Sequence, residues 1–302
     1  MMKQMKNAIV LFLKSMRMVQ WVKNMFIFAP VIFSLYLPQF DIYRHLRNSV
    51  AAFFLFSLVT GGIYILNDCF DRKKDRCHPE KCKRPIASGE LSVSVAVPGA
   101  LVLLAVSLTA IFKFNLSFFI ISIIYILMNV LYSSYLKKVV ILDVMVIAVG
   151  FVLRVKIGGD INNIELSVWI LIITFLLAIF LGLIKRRQEL VKINLEKGDV
   201  ETRKTLKNYN LILLDQLISI TTATTLISYI IYVVNPDILQ KFHTRELYLT
   251  VPFVVFGIFR YLYLTYSKGK GENPSEIIFS DLPFTANIVA WVATFVLIIL
   301  YR

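Results

Sequence analysis

The chain has 302 residues, of which 58% are hydrophobic and only 17% are charged, and its mean hydropathy is +0.71. These values exclude a pair of ordinary soluble domains and favour a single integral-membrane domain over residues 1–302. In a membrane protein the basic residues set the topology and attract anionic substrates, so the net charge of +14 does not require nucleic acid as a partner.

Apolar runs predict an all-α protein with nine transmembrane helices. A helix needs roughly 20 mainly apolar residues to cross a hydrocarbon layer about 30 Å thick. Six uncharged runs meet this requirement, and we accept three further runs that are shorter or contain charges. In chain order the predicted spans are 24–40, 48–67, 91–112, 114–136, 139–157, 166–184, 216–236, 247–266 and 282–301.

The distribution of basic residues predicts the orientation of these spans. Short cytoplasmic connections carry the excess of Lys and Arg in membrane proteins. With the N-terminus inside and the C-terminus outside, 24 of the 33 basic residues lie on the cytoplasmic side. We therefore predict a multi-pass protein of the bacterial inner membrane. Two long polar loops, 68–90 and 185–210, place its chemistry at the cytoplasmic face.

The second predicted span runs directly into an acidic segment. Asn67, Asp71 and Asp75 recur every four residues, and Asp68 lies three residues before Asp71. If the helix continues past the membrane surface, all four side chains share one face. Mg²⁺ prefers oxygen ligands and typically combines one or two carboxylates with substrate phosphate oxygens. We predict a Mg²⁺ and diphosphate site here, and the alternative is a solvated helix end whose Asp and Lys residues satisfy one another.

Basic residues follow the acidic segment. We expect Lys83 and Arg84 to contact phosphate, because Arg offers a planar fork and Lys a point charge. Lys73 and Lys81 bind either substrate or anionic lipid headgroups. A separate cation, Arg154, lies inside a predicted span and must face a cavity or pair with a partner. Its pairing with Asp143 is excluded, because eleven residues of helix separate the two by about 16 Å.

Residues 67–89 closely resemble the first signature of the UbiA prenyltransferase superfamily. The matching positions are Asn67-Asp68, Asp71, Asp75 and the closing run from Arg84 to Gly89. The resemblance implies nine helices around a central cavity that opens near the cytoplasmic face. Within the superfamily the chain is most similar to the decaprenyl-phosphate phosphoribosyltransferases, through Gln20 to Asn24, His78-Pro79, Gly150-Phe151, Arg154, Gly158-Gly159, Lys185-Arg186, Glu189-Leu190, Arg260-Tyr261 and Gly271-Glu272.

One departure from the superfamily concerns the donor. Members that use prenyl diphosphate usually carry a second aspartate-rich motif after the sixth span, where this chain has the cationic run Lys185-Arg186-Arg187. The resemblance thus implies Mg²⁺-dependent transfer of a 5-phosphoribosyl group from phosphoribosyl diphosphate to a polyprenyl phosphate. Two alternatives stay open. One is a UbiA-type prenyltransferase acting on an aromatic or lipid acceptor, and the other is a non-enzymatic membrane transporter or scaffold.

The predicted roles are assigned residue by residue. The metal ligands are Asn67, Asp68, Asp71 and Asp75, and the catalytic residues are Asp68, Asp71 and Arg154. Packing is the alternative role for Tyr64 and Tyr132, and membrane-surface snorkelling is the alternative for Lys23. A homo-oligomer is compatible with the sequence. The predicted substrate-binding residues are Lys23, Tyr64, Lys73, Lys81, Lys83, Arg84, Tyr132, Lys138, Arg154, Lys185 and Arg186.

Overall fold

The computed structural model describes residues 2–35, 41–77, 81–196, 208–269, 271, 277–278 and 280–301, and the regular structure within these ranges is helical. The predicted all-α class is therefore confirmed. The α-helices are α1 Met2–Ser15, α2 Ala29–Ile32, α3 Ile42–Phe70, α4 Arg72–Arg76, α5 Pro85–Ser88, α6 Val93–Phe114, α7 Leu116–Ser134, α8 Leu142–Asn162, α9 Val168–Glu196, α10 Leu211–Val234, α11 Pro236–Phe242, α12 Val251–Lys268 and α13 Leu282–Leu300. The 3₁₀ helices are η1 Met18–Phe28, η2 Lys81–Lys83, η3 Leu136–Lys138 and η4 Glu246–Thr250.

Seven helices of the described residues are long and apolar enough to cross a membrane. They are Ile42–Phe70, Val93–Phe114, Leu116–Ser134, Val168–Ile193, Leu211–Val234, Glu246–Lys268 and Leu282–Leu300. Each coincides with one of the nine predicted spans, so the chain is a multi-pass membrane protein. The predicted span 139–157 corresponds to α8, which is long enough but carries four charged residues. The predicted span 24–40 corresponds to η1 and α2, so the count of nine stays a prediction.

The first predicted span differs most from the structure. Instead of one α-helix, the chain forms the 3₁₀ helix η1 and then the single turn α2, while residues 36–40 lie outside the described ranges. Pro30 occupies the first turn of α2. Proline lacks an amide hydrogen and is tolerated there, but it cannot continue a helix that precedes it. Hydropathy identified the apolar run but contained no information about the change from 3₁₀ to α-helix at Pro30.

Polar caps determine where the long helices begin. The Asp41 side chain accepts from the Arg44 amide at 3.0 Å, and Asn115 accepts from Phe118 at 2.8 Å. Asn210 and Asp281 cap α10 and α13 in the same way. Each carboxylate or amide oxygen satisfies an otherwise unbonded amide of the first turn.

The helices extend beyond the apolar runs on the predicted cytoplasmic side. Helix α3 reaches Phe70, and α9 continues through the basic run to Glu196. The segment 185–210, predicted as a loop, is therefore helical in its first part. Charged residues in the sequence indicate where the membrane-embedded part ends. They do not indicate the end of the helix, which continues as long as its backbone hydrogen bonds do. Lys185 and Arg186 consequently lie on a rigid element.

A close contact between η1 and α8 positions part of the polar interior. Gly158 lies against the backbone of Ile27, and a Cβ atom at this glycine would be only 2.0 Å from the Ile27 carbonyl oxygen. Nearby, Phe26 packs edge-on against Phe151 with ring centroids 5.0 Å apart. The absence of a side chain at Gly158 thus allows η1 to approach α8, which brings Asn24 to Arg154.

Candidate active site

The acidic segment forms a nearly continuous helical turn at the end of α3. Asp71 ends α3 and precedes α4, and the amides of Asp71 and Asp75 donate to the carbonyls of Asn67 and Asp71, both at 2.9 Å. The four-residue repeat predicted from the sequence is therefore maintained through the junction. The side chains nevertheless divide into two pairs with different neighbours.

Asp68 and Asp75 form the first pair, which is joined by arginines. Arg84 donates to Asp75 at 2.6 Å and to Asp68 at 3.2 Å, and Arg17 forms a second salt bridge with Asp68. Both carboxylates are nearly inaccessible, with exposures of 3% and 5%. The Arg17 guanidinium also lies over the Tyr64 ring, 5.3 Å from its centroid. Arg17 was not a predicted site residue, because the sequence indicated only its contribution to the positive cytoplasmic side.

Asn67 and Asp71 form the second pair and face the end of α7. Ser133 donates its hydroxyl to Asn67 at 2.9 Å, and the Lys137 ammonium lies 3.2 Å from both carboxylate oxygens of Asp71. Neither Ser133 nor Lys137 was predicted. Asp71 keeps a third of its side chain exposed. This pair is therefore open to a ligand, unlike Asp68 and Asp75.

The remaining predicted residues of this face vary in exposure. Lys73, Lys83 and Lys138 are exposed, while Lys81 and Tyr132 are half-buried. Arg84 has extended backbone angles before Pro85, as expected for a residue preceding proline. This conformation directs the chain into the short helix α5 and places Arg84 across from the acidic turn.

Arg154 lies deep in the helix bundle, where the residue is 4% exposed. It donates to the Asn24 side chain at 2.8 Å, the Gly150 carbonyl at 2.6 Å and the Tyr125 hydroxyl at 2.9 Å. The expectation that Arg154 does not pair with Asp143 is confirmed, because Asp143 instead binds Arg186. Asn24 and Tyr125 were not predicted, since their contacts with Arg154 form only in the folded bundle.

Lys23 is half-buried beside this arginine and precedes the predicted first span. Burial, together with the positive charges of Arg154 and Arg17, lowers the pKa of the Lys23 ammonium to about 8. The charged groups acting on Lys23 are thus cations. An anion between them would relieve their repulsion.

The basic residue Arg186 belongs to a separate buried network. Its guanidinium donates to Asp143 at 2.6 Å and to Glu189 at 2.7 Å, and its side chain is 2% exposed. The Tyr209 hydroxyl donates to Asp143 at 2.8 Å and accepts from the Ile141 amide at 2.6 Å. Burial and the Asp143 charge raise the pKa of the Tyr209 hydroxyl, although the Ile141 bond opposes this effect. Lys185, next to Arg186, is half-buried.

The donor set at Asn67 and Asp71 fits a hard divalent cation. One amide oxygen and one carboxylate are too few to enclose an ion, and no group of three or more His, Cys, Asp or Glu residues suited to a metal occurs in the described ranges. Mg²⁺ does not need such a group, since substrate phosphates and water complete its octahedron. In this structure the Lys137 ammonium balances the Asp71 charge. A bound cation would take over that role. His78, Pro79 and Glu272, which matched the family in the sequence, lie outside the described residues.

Comparison with known proteins links this geometry to a family. A family model described as the UbiA prenyltransferase family matches residues 27–280. A decaprenyl-phosphate phosphoribosyltransferase from Mycolicibacterium smegmatis is 27% identical over 297 residues, covering 96% of this chain and 92% of the relative. A protein of the same name from Corynebacterium glutamicum is 29% identical over 290 residues, covering 95% and 86%.

A similar fold occurs among solved structures. A UbiA homologue from Archaeoglobus fulgidus bound to DMAPP and Mg²⁺ superimposes with a TM-score of 0.67 at 20% identity, covering 95% of this chain and 98% of that one. At this identity the likeness concerns the fold alone.

Proposed function

Because the chain belongs to the UbiA prenyltransferase family and is thus a transferase, we propose that it transfers a 5-phosphoribosyl group from phosphoribosyl diphosphate to a polyprenyl phosphate. The relatives named decaprenyl-phosphate phosphoribosyltransferase support this choice over nearly the whole chain. The observation that carries it is the cationic start of the second polar segment, Lys185 to Arg187. A non-enzymatic transporter or scaffold is set aside, since the family is one of transferases.

The two pairs of the acidic turn have different tasks in this proposal. Asn67 and Asp71 would hold Mg²⁺, and the ion would supply positive charge to balance the leaving diphosphate. Asp68 and Asp75, predicted as metal ligands too, support the site from outside by orienting Arg84 and Arg17. Ser133 donates to the Asn67 side-chain oxygen, which keeps a second lone pair for an ion.

Phosphate groups of both substrates meet the basic residues around the turn. Acceptor phosphates are already ionised near neutral pH, so the chain needs no strong general base. An oxygen of the polyprenyl phosphate forms a bond to C1 of the ribose as the bond from C1 to the diphosphate oxygen breaks. The chain's contribution is mainly orientation and charge balance. The residues assigned to phosphate binding are Lys73, Lys81, Lys83, Arg84, Lys138 and Lys185, and Tyr64 and Tyr132 line the ribose side. Arg186, which the sequence predicted for this role too, is instead engaged by Asp143 and Glu189.

The membrane arrangement follows the charge distribution. We place nine spans in the bacterial inner membrane, with the N-terminus and the acidic turn on the cytoplasmic side. Phosphoribosyl diphosphate is soluble and highly charged, whereas the polyprenyl acceptor stays in the bilayer. A site at the cytoplasmic boundary lets the two substrates meet without transfer of the donor through lipid.

One experiment tests both the reaction and the metal site. Purified protein in nanodiscs is incubated with labelled phosphoribosyl diphosphate, Mg²⁺ and polyprenyl phosphates of several lengths, and labelled lipid is measured. We expect Asp71→Asn to lower turnover by about 10²-fold or more while the protein stays folded. Asp237→Asn, the same change at an exposed residue, serves as the matched control.

Two results would contradict the proposal. A prenylated aromatic or lipid product formed from prenyl diphosphate, without labelled phosphoribosyl lipid, would select the prenyltransferase alternative. Near-normal Mg²⁺-dependent turnover by Asp71→Asn would show that the metal is held elsewhere.

A further inference from the structure

Two neighbouring cations, Arg154 within the bundle and the half-buried Lys23 beside it, have charges that no acidic side chain of the described residues balances. The hydrogen bonds of Arg154 all go to neutral acceptors, on Asn24, Tyr125 and its own helix. The charged groups that act on Lys23 are Arg154 and Arg17, both positive. Such an arrangement is costly in a buried site unless an anion joins it.

Aromatic rings stabilise Arg154 only in part. Its guanidinium lies over Phe56, Tyr125 and Phe151, at 5.4, 5.0 and 5.4 Å from the ring centroids. Contacts of this kind offset part of the cost of removing a charge from water, but they do not replace a counter-ion. The bundle therefore holds this arginine in place without neutralising it.

The orientation of the guanidinium is fixed by its neighbours. Asn24 is held by Ser57 at 2.9 Å and Thr60 at 3.3 Å through its amide nitrogen, so its oxygen faces Arg154. An arginine has five N–H groups, and the three bonds to Asn24, Gly150 and Tyr125 leave two of them for a further acceptor. A rigid pair of donors beside a lysine suits an anion with several oxygens.

Distance along α3 separates this site from the acidic turn. Asn24, which accepts from Arg154, donates to Ser57 and Thr60, and these lie eight to eleven residues before Asp68, about 12–16 Å along the helix. Arg17 contacts Asp68 at the turn, and both Arg17 and Arg154 act on Lys23. A substrate phosphate bound between Lys23 and Arg154 would be distinct from the diphosphate held at Asn67 and Asp71.

We propose that Lys23 and Arg154 form a second anion site, which binds a phosphate monoester, with Asn24 and Tyr125 as positioning residues. The inference rests on the proposed function, which supplies two such groups, the 5-phosphate of the donor and the phosphate of the lipid acceptor. Both are dianionic monoesters, so the same donors recognise either one. The diphosphate, by contrast, belongs to the acidic turn.

Direct binding measurements on the protein in nanodiscs test this site. Ribose 5-phosphate is titrated calorimetrically, and a polyprenyl monophosphate is followed by native mass spectrometry. We expect Arg154→Gln to weaken one of these ligands by roughly 10- to 100-fold, the loss typical of a charged hydrogen-bond partner. Binding of inorganic diphosphate with Mg²⁺ stays as in the wild type. The ligand that is weakened identifies which substrate occupies the site.

Matched variants separate binding from folding. Lys156→Gln removes a half-exposed charge from the same helix and leaves both ligands unaffected. Lys23→Gln and Tyr125→Phe provide variants that keep the buried arginine, and each weakens the same ligand as Arg154→Gln, with Tyr125→Phe the milder. Because Tyr125→Phe leaves one buried N–H of Arg154 without its acceptor, we expect a small fall in its thermal unfolding temperature beside the weaker binding.

The outcomes also distinguish the two proposals. If the wild type binds neither monoester, or if Arg154→Gln and Lys23→Gln both bind them normally, the anion site is overturned even when phosphoribosyl transfer occurs. If no phosphoribosyl lipid forms but a monoester binds in an Arg154-dependent way, the anion site stands and the proposed reaction fails.

Discussion

Gly158→Ala tests how strictly the contact between η1 and α8 determines the interior. The added Cβ would be 2.0 Å from the Ile27 carbonyl oxygen and 2.9 Å from its carbonyl carbon. Cβ contacts under 3.0 Å essentially never occur, and here the obstacle is backbone. The 3₁₀ helix must therefore move by about 1 Å, because a backbone carbonyl cannot rotate away as a side chain can.

This displacement has two measurable effects. Overpacking of this kind costs about 1–3 kcal/mol, and a rigid backbone neighbour places Gly158→Ala at the upper end of that range. The shift also lengthens the Asn24 to Arg154 hydrogen bond, now 2.8 Å, beyond normal bonding distance. Both stability and monoester binding should fall together.

The assay compares thermal unfolding and ligand binding of the purified variant in nanodiscs. Gly257→Ala is the control, because its Cβ would meet only the Asn287 side-chain nitrogen at 3.1 Å. A side-chain amide can yield by the few tenths of an ångström required. An unfolding temperature for Gly158→Ala equal to that of Gly257→Ala would refute the reasoning.

Two further predictions concern the buried charges. Asp143→Asn leaves Arg186 with Glu189 as its remaining carboxylate in the described residues, so we expect a loss of about 3 kcal/mol in thermal stability. Asp237→Asn, the same change at an exposed residue, should change stability by less than about 1 kcal/mol, and equal losses would contradict this. Because the pKa of Lys23 is lowered to about 8, its charge is present below that pH and lost above it, whereas the neighbouring Arg154 and Arg17 stay charged. We therefore expect kcat/KM to fall above pH 8 in the wild type but not in Lys23→Arg, and superimposable pH profiles would remove Lys23 from substrate binding.

The long helices were predictable because their signal is local. Apolar runs and polar caps occupy neighbouring positions, and the helices agree with the predicted spans to within a few residues for spans such as 91–112 and 282–301. The acidic repeat was equally accessible, since Asn67, Asp71 and Asp75 recur at helical spacing. Both features follow from interactions over one or two turns.

The partners of the acidic turn were not predictable from local patterns. Arg17 is 51 residues from Asp68, and Ser133 is 66 residues from Asn67. Such pairs form only when separate helices pack, and each partner alone has an ordinary explanation in topology or capping. The inside position of Arg154 was expected from its cost in lipid. Asn24, 130 residues away, matched the family only within the run Gln20 to Asn24, and that match did not indicate its contact with Arg154.

The 3₁₀ winding of η1 changes how far this segment extends for its number of residues. A 3₁₀ helix rises about 2.0 Å per residue, compared with 1.5 Å in an α-helix. The eleven residues Met18–Phe28 therefore extend about 22 Å, and the four of α2 add about 6 Å. Fifteen residues thus reach nearly as far as nineteen in α-helical form, so a residue count alone underestimates the extent of this segment.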